Sequence, residues 1–423
     1  MGIRMSLLAS IRRRLTAPVT PEQATRVRLH LALIPVYVWL FFAWGAFIHD
    51  FAVPGRFDRA GHIKGHDFVH FYMLGGIAID RATPDLYDFD AQSKRLDRLV
   101  PEYETRFLPV HTPQVALFFA PIAALPYVAA IWTWLLISAC LYAASCWALW
   151  RALPALHDYT GIAVLLAAGF PAAQAMAATG QTSAFALAWL VLAYLALRRR
   201  HDVLAGMALG MLAYKPTFGL LVPFALLSTR QFRATAAAAG TALLQFVIAW
   251  AYFGREAIID YVRNFETISS QRSLLEAQPY AMHSLLAFFS MLMPSDHVAK
   301  VAYLVTSGIV AAMAIRVWRS RSALEVRYGT LIIASVLVSP HFYVYDLVIL
   351  AAAFFLLASW AVQSTRRRVL FWTLGYAAFY LPALEGLVQR THVQWTVPVS
   401  FGLVIYLICS TSRSDLLVET KLS

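Results

Sequence analysis

The chain has 423 residues, of which 60% are apolar and only 14% are charged. This composition excludes an ordinary water-soluble globular protein, in which about 25% of the residues are charged. The net charge of +12 at pH 7 does not indicate nucleic-acid binding, because the basic residues collect in short clusters between apolar runs. Such clusters mark the cytoplasmic ends of membrane spans, so the sequence predicts an all-α polytopic membrane protein rather than a β-barrel.

The first part of the chain divides into a basic segment, a span and a long polar loop. Residues 1–28 are predicted to be a cytoplasmic basic segment, and residues 29–49 the first span. The first outer loop, residues 50–126, then contains ten of the 23 acidic residues of the chain. Because the rest of the protein is mostly apolar, we expect this loop to form one wall of an active site on the outer face of the membrane.

Nine further spans are predicted from the apolar runs and the basic clusters between them. They are 127–150, 159–178, 182–197, 235–253, 298–318, 324–339, 342–361, 369–388 and 393–410, and a short apolar helix is predicted at 283–293. With these spans both termini are cytoplasmic. The chain is therefore predicted to form one transmembrane domain, 29–410, with a cytoplasmic tail, 411–423, in the inner (plasma) membrane.

The segment between the basic residues at 198–200 and Arg230 interrupts this alternation. Both ends should be cytoplasmic, yet the segment is too short for two full spans. Pro216 disfavours helical backbone at Lys215. We therefore predict two short helices, 203–213 and 217–228, which meet at Lys215 inside the membrane, where irregular backbone occurs only if protein buries it or it lines a cavity.

Ionisable and polar residues collect at the predicted outer ends of the spans and at the broken helix. They are His66, Asp67, His70, His111, Gln181, Lys215, His341 and Asp346. An ionisable residue at membrane depth is costly and is usually functional. An enzyme built from these groups would use an aspartate or a histidine to deprotonate an acceptor hydroxyl, and a lysine to bind a phosphate leaving group.

These residues also have structural interpretations. His70 and Asp67 are three residues apart on a predicted helix and could form a purely local pair, and the loop histidines could simply be exposed. Gln181 could be an ordinary turn residue. Lys215 could extend its ammonium group to the membrane interface. Asp346 lies just inside an apolar run and could pair with Lys215 or with an arginine.

Several short motifs occur in an order that carries more information than any one of them. They are Asp67-Phe68, Tyr72, Gly75-Gly76, Leu86-Tyr87-Asp88, Thr112-Pro113, Pro121 to Pro126, Gly180-Gln181-Thr182, Lys215-Pro216, and Ser339-Pro340-His341 followed by Tyr345-Asp346. In this order, residues 60–350 resemble glycosyltransferase family 87, a group of polyprenol-phosphate-mannose-dependent α-mannosyltransferases in the GT-C superfamily. The sequence departs from the family where an aromatic-proline-proline segment is replaced by Val110-His111-Thr112-Pro113-Gln114.

The resemblance implies a GT-C-like bundle of about 10–12 transmembrane helices with a long first periplasmic loop and an active site on the periplasmic face. It implies Asp67 as the general base and His341 as a second catalytic candidate. Lys215 is the implied cation for the donor phosphate. The other implied substrate-binding residues are Gln181, His111, His66, Tyr72 and Asp346.

The implied reaction is an inverting single displacement. The donor is a polyprenyl-phosphate sugar, with mannose as the expected sugar, and the acceptor is a lipid or a glycan. No cofactor is expected, and no metal is required because polyprenyl phosphate is already a good leaving group. Two alternatives stay open: a transporter or flippase of lipid-linked sugars, for which broken helices are also typical, and another lipid-linked glycan enzyme such as an O-antigen ligase.

Overall fold

A computed structural model describes residues 21–101, 106–270, 278–363 and 368–419. Most of the predicted cytoplasmic N-terminal segment, with its arginines at 12–14, lies outside the described residues. The same holds for Glu102 and Glu104 of the first outer loop, for Arg366 and Arg367, and for the end of the predicted tail.

The described residues fold mostly into helices and include no β-strand. The α-helices of the first half are α1 (Pro21–Phe51), α2 (Phe68–Ile79), α3 (Phe89–Leu99), α4 (Pro113–Ala123), α5 (Tyr127–Ala152), α6 (Thr160–Ala168), α7 (Pro171–Thr179), α8 (Ser183–Arg198), α9 (Asp202–Gly210) and α10 (Val222–Ser228). Those of the second half are α11 (Phe232–Phe253), α12 (Arg255–Ser270), α13 (Leu285–Leu292), α14 (Asp296–Arg319), α15 (Leu324–Val338), α16 (Leu350–Val362), α17 (Val369–Tyr380), α18 (Glu385–Thr391) and α19 (Thr396–Glu419). Short 3-10 helices extend or join them at Thr83–Leu86, Pro154–Tyr159, Met211–Tyr214, Pro216–Gly219, Pro279–Ala281, Val344–Ile349 and Leu381–Ala383.

The class predicted from the sequence, an all-α polytopic membrane protein, is confirmed. Within the described residues, six helical segments are long and apolar enough to cross a membrane. A seventh results if α18 and the first part of α19, which are bent by 104° relative to each other, count as one span. The spans predicted at 182–197, 324–339 and 369–388 are the shorter helices α8, α15 and α17. The predicted total of ten full spans is reached only if these shorter helices also cross the membrane.

One of the spans lies at the centre of the protein. The segment Val344–Val362 is 67% buried inside the protein, whereas the other candidate spans are between 11% and 33% buried. It packs against α7 and α8 near its beginning and against α15 along α16. From Asp346 onwards, the start of this segment is therefore buried in protein rather than exposed to lipid.

The break predicted between two short helices is present. Helix α9 continues as a 3-10 turn to Tyr214, Lys215 adopts an extended backbone, and Pro216 begins the next 3-10 turn, which leads into α10. Gly206 and Gly210 press α9 against α11, because a Cβ atom on either glycine would collide with a carbonyl oxygen of α11. Such small-residue contacts let membrane helices approach closely, and here the contact fixes the helix that ends at Lys215.

The two apolar helices of the first outer loop pack on each other, and α4 also packs on the spans α5 and α11. Gly75 allows α2 to lie directly on α4, since a Cβ atom there would lie 2.6 Å from the carbonyl oxygen of Phe119. Two of the loop acids share a structural partner: Arg95 pairs with Asp80 and with Asp85, each at 2.7 Å. These contacts brace the loop between the residues at its start and end.

Candidate active site

Asp67 is held at the start of α2 by three contacts, one to its backbone and two to its carboxylate. Its backbone N–H donates to the carbonyl oxygen of Thr179 at 3.0 Å. Its carboxylate accepts a hydrogen bond from Nε2 of Gln181 at 2.8 Å, and Nδ1 of His66 lies 3.0 Å from the other oxygen. The side chain of Asp67 is 20% exposed. It is therefore both oriented and accessible; Asp67, His66 and Gln181 are called the Asp67 group below.

The turn that carries Gln181 fits only a glycine at its centre. Gly180 has a φ of +70°, and a Cβ atom there would lie 2.6 Å from Cβ of Phe68. The indole N–H of Trp134 donates to the carbonyl oxygen of Gly180 at 2.8 Å. Because the turn packs against Phe68 at the start of α2 and is hydrogen-bonded by Trp134, the amide of Gln181 is fixed beside Asp67.

A second polar group surrounds the helix break. Nζ of Lys215 donates to Oδ1 of Asp346 at 2.6 Å, and the hydroxyl of Ser183 donates to the same oxygen at 2.9 Å. The backbone N–H of Tyr343 lies 3.4 Å from Oδ2 of Asp346. The side chain of Asp346 is fully buried, whereas that of Lys215 is 16% exposed. Lys215 and Asp346 thus form a buried ion pair whose cation is partly exposed, and Ser183 supports the carboxylate. These three residues are the Lys215 group.

The start of α8 joins the two groups. Gln181 bonds the carboxylate of Asp67, and Ser183, two residues later, bonds the carboxylate of Asp346. A partly exposed carboxylate and a partly exposed ammonium group are therefore linked to the same helix end, Asp67 through Gln181 and Lys215 through Asp346. A carboxylate can act as a general base and an ammonium group can stabilise a phosphate, so the site offers both kinds of group.

The first outer loop is bonded directly to the broken helix. The hydroxyl of Thr112 donates to the carbonyl oxygen of Tyr214 at 3.0 Å, and Nε2 of Gln114 lies 3.3 Å from the carbonyl oxygen of Ala213. The phenol of Tyr214 in turn donates to the carbonyl oxygen of Thr182 at 3.1 Å. The end of the loop, the helix break and the start of α8 are thereby one connected frame.

Two histidines, His111 and His341, lie within electrostatic range of Lys215, and a third, His70, lies beside His111; burial favours the neutral form of all three. Burial lowers the pKa of His341 to about 4, and the nearby charge of Lys215 lowers it further while Asp346 opposes the effect. Burial also lowers the pKa of His111 well below its usual value, with smaller effects from His70, Lys215 and His341. The ring of His70 lies 5.1 Å from that of His111, and burial lowers its pKa to about 4. At neutral pH the positive charge at this place is therefore that of Lys215.

The loop that carries His341 is tied to the segment at Met282, which is tied in turn to Gln394. Tyr343 forms an isolated antiparallel bridge with Met282, and the side-chain amide of Gln394 donates to the carbonyl oxygen of Met282 at 2.9 Å. Nδ1 of His341 is buried and has no hydrogen-bond partner within the described residues. This imidazole thus has an unused polar atom in a rigid loop beside Lys215.

The structure gives the contacts of Tyr72 and of two pairings that were considered from the sequence. Tyr72 makes structural contacts: its hydroxyl donates to the carbonyl oxygen of Leu125 at 2.8 Å and its ring packs on Tyr127. The local pair considered for His70 and Asp67 is not hydrogen-bonded, since Asp67 bonds Gln181 and His70 turns towards the buried side of the loop. The pairing considered for Asp346 with Lys215 is present.

Sequence reasoning missed two polar residues that hold the site together. Ser183 bonds Asp346, and the only signal for it was its position directly after the Gly180-Gln181-Thr182 motif. Lys64 is 1% exposed, and its ammonium group donates to the carbonyl oxygens of Val53 and Gly55, which fixes the chain just before His66. A lysine in a polar loop is usually exposed, so nothing in the sequence indicated this role.

An apolar cavity of about 610 Å³ lies between α6, α16 and α17. Phe170, one of the lining residues, directly precedes α7, the helix that leads to the Gln181 turn, and Ala351, another, follows Asp346 by five residues. Among the described residues that line the cavity, Arg368 is the charged one. The cavity is therefore an apolar space whose walls continue into the elements that carry both polar groups.

Comparison with known proteins gives one match. A model of glycosyltransferase family 87 matches residues 110–340, which is more than half of the chain. The matched range contains His111, Gln181 and Lys215, ends one residue before His341 and begins after Asp67. No curated protein and no solved structure matches.

Proposed function

Because the chain belongs to glycosyltransferase family 87, and is thus a membrane glycosyltransferase, we propose that it transfers a hexose from a polyprenyl-phosphate sugar to a hydroxyl group of a lipid or glycan acceptor. Mannose is the sugar that we expect. The observation that carries the proposal is the pair of groups linked to the start of α8: the partly exposed carboxylate of Asp67 and the partly exposed ammonium group of Lys215.

In the proposed reaction Asp67 is the general base. The carboxylate of Asp67 accepts the proton of the acceptor hydroxyl, whose oxygen forms a bond to the anomeric carbon from the face opposite the phosphate. The bond between the anomeric carbon and the phosphate oxygen breaks, and polyprenyl phosphate leaves with the electron pair. The amide of Gln181 supports this role because it holds the carboxylate in one orientation at 2.8 Å.

Lys215 is proposed to bind the donor phosphate. Its ammonium group has three N–H donors, and the hydrogen bond to Asp346 uses one of them. The rings of Phe218 and Tyr345 lie 5.0 and 5.4 Å from Nζ and limit its position. His341, neutral and with a free Nδ1 atom in the part of the chain that the structure describes, is proposed as a second contact to the phosphate or the sugar.

The isoprenoid chain of the donor is proposed to occupy the apolar cavity between α6, α16 and α17. Its volume of about 610 Å³ and its aliphatic and aromatic lining suit a branched hydrocarbon chain. A chain that enters beside Phe170 and Ala351 would follow α7 and Val344–Ile349 to the two polar groups.

The distribution of basic residues supports an outward-facing site in the inner membrane. Helix α8 begins at Ser183 in the Lys215 group and ends at Arg198, next to Arg199 and Arg200. Lys and Arg are enriched at cytoplasmic ends, so the end with the polar groups faces the periplasm or exterior. We propose accordingly that residues 29–410 form one transmembrane domain with both termini in the cytoplasm.

The proposal is tested by replacing Asp67 with its uncharged isostere. Wild type, Asp67→Asn and Asp90→Asn are purified and incubated with radiolabelled polyprenyl-phosphate-mannose and a membrane-lipid extract. Asp90→Asn is the matched control, because Asp90 is an exposed acid on α3 of the same loop. We expect wild type and Asp90→Asn to transfer label, and Asp67→Asn to be roughly 10² to 10⁴ times slower, the usual contribution of a general base.

Two results would contradict the proposal in different ways. Transfer by Asp67→Asn at the wild-type rate would remove Asp67 from the chemistry and leave His341 as the candidate base. No transfer by folded wild type with mannose or with other hexoses would remove the polyprenyl-phosphate hexose donor, and would favour transport of a lipid-linked sugar.

A further inference from the structure

Helix α12 follows a membrane span almost without a connection. Only Gly254, with a φ of +86°, separates the end of the span α11 at Phe253 from Arg255. The positive φ turns the chain sharply, and the ring of Tyr261 returns to within 6.3 Å of the ring of Phe246 inside the span. Helix α12 therefore begins at the edge of the membrane and lies across the span rather than continuing it.

One face of α12 packs on the protein near the candidate site. Ala257 is 1% exposed, and the ring of Tyr261 lies 5.8 Å from that of Tyr87 in the first outer loop. The side-chain amide of Asn264 donates to the carbonyl oxygen of Pro109, two residues before His111. This face places α12 on the same side of the membrane as the Asp67 and Lys215 groups.

A second face of α12 is apolar and exposed. Val262 is 49% exposed and Phe265 is 59% exposed. The ring of Phe265 lies 6.4 Å from that of Tyr261, which in turn contacts Phe246 of α11. Residues of α11 around Phe246, such as Leu243 and Val247, are also exposed. Since α11 is a candidate membrane span, the exposed apolar surface of α12 is continuous with the surface that faces lipid.

The third face of α12 is charged. Arg263 is 74% exposed and Asp260 is 43% exposed, and their side chains are 3.9 Å apart. Glu256, in the first turn, is exposed as well. A helix with one face on protein, one apolar and one charged fits the boundary between lipid and water, where each face has the partner it requires.

We propose that α12 lies in the plane of the membrane surface on the side of the candidate site, with Val262 and Phe265 inserted among the lipids and Arg263 in the water. The partner of this surface is the lipid bilayer. The inference does not depend on which sugar is transferred. It has a consequence for the site: through Asn264 and Pro109, the bilayer supports the segment that carries His111 and, one residue later, Thr112.

The experiment measures contact with lipid directly. The photoreactive amino acid p-benzoylphenylalanine is introduced at position 265 in one full-length protein and at position 263 in another. Both proteins are reconstituted in nanodiscs of phosphatidylethanolamine and phosphatidylglycerol and irradiated, and lipid adducts are counted by mass spectrometry of the intact protein. Position 263 is the matched control, because it lies on the same helix two residues away on the charged face.

We expect lipid adducts at position 265 to exceed those at position 263 by about tenfold. Equal numbers of lipid adducts at the two positions, or no lipid adduct at either position, would overturn the proposal and leave α12 in the aqueous phase. A cross-linked dimer at position 265 would overturn it as well, because a second copy of the chain would then cover the apolar face. The readout needs no transferase activity, so it stays independent of the Asp67→Asn experiment.

Discussion

Replacing Lys215 by methionine separates its structural role from its proposed role at the phosphate. Methionine has a similar length but no charge, so the carboxylate of Asp346 remains buried without its cation. Removal of one partner of a buried ion pair typically costs about 3 to 5 kcal/mol of folding stability. Here Asp346 keeps the hydroxyl of Ser183 and the N–H of Tyr343. We therefore expect the lower end of that range, about 3 kcal/mol.

The assay is a double-mutant cycle with two readouts. Lys215→Met, Asp346→Leu and the double variant are unfolded reversibly in mixed detergent micelles, and transfer of label is measured on the folded protein. The double variant has no buried charge, and we expect it to recover most of the stability that Lys215→Met loses, since apolar replacement of a buried pair is often close to neutral. We expect it to remain inactive, because the cation for the donor phosphate is still missing.

Two outcomes would refute this reasoning. A loss of less than about 1 kcal/mol in Lys215→Met would mean that the pair behaves like an exposed one, in conflict with the full burial of Asp346. Recovery of transfer in the double variant would mean that Lys215 serves only to neutralise Asp346 and does not bind the phosphate.

Two further predictions concern the histidines and the cavity. Burial lowers the pKa of His70 to about 4, against about 6.5 in an unfolded chain. Between pH 4 and pH 6.5 the unfolded state therefore binds more protons than the folded state. The free energy of unfolding is thus highest above pH 6.5 and falls by on the order of 3 kcal/mol as the pH falls to 4. The melting temperature of wild type should therefore drop over this range more steeply than that of His70→Gln, and parallel curves would show that His70 is not the group responsible. Ala358→Trp fills part of the apolar cavity. For a long-chain polyprenyl donor it should raise KM about tenfold, or about 1.4 kcal/mol, and for a short-chain donor it should raise KM much less. An equal effect on the KM of both donors would exclude the cavity as the site of the isoprenoid chain.

Features with a local physical cause could be predicted from the sequence. Proline after Lys215 in the middle of an apolar run indicated the helix break, and the break is present. Gly180 and Gln181 between two apolar runs indicated a tight turn, and Gly180 has the positive φ that such a turn requires. Alternation of basic clusters and apolar runs was enough for the fold class.

Features that depend on packing between distant segments could not be predicted. Gln181 reaches Asp67 across 114 residues, and Ser183 reaches Asp346 across 163 residues; no spacing rule within one helix gives such contacts. The hydroxyl of Tyr72 reaches the backbone at Leu125 across 53 residues, and its motif gave no signal for that contact either.

The ties of the His341 loop restrict how the site can open. The wall of His341 is joined by the bridge from Tyr343 to Met282 and by the amide of Gln394, so three separate segments would have to shift together to open it. The opposite wall, formed by the first outer loop, is bonded to the broken helix and rests on α12. A donor anchored in the bilayer is then expected to arrive sideways from the lipid, past a fixed back wall, rather than from the water above it.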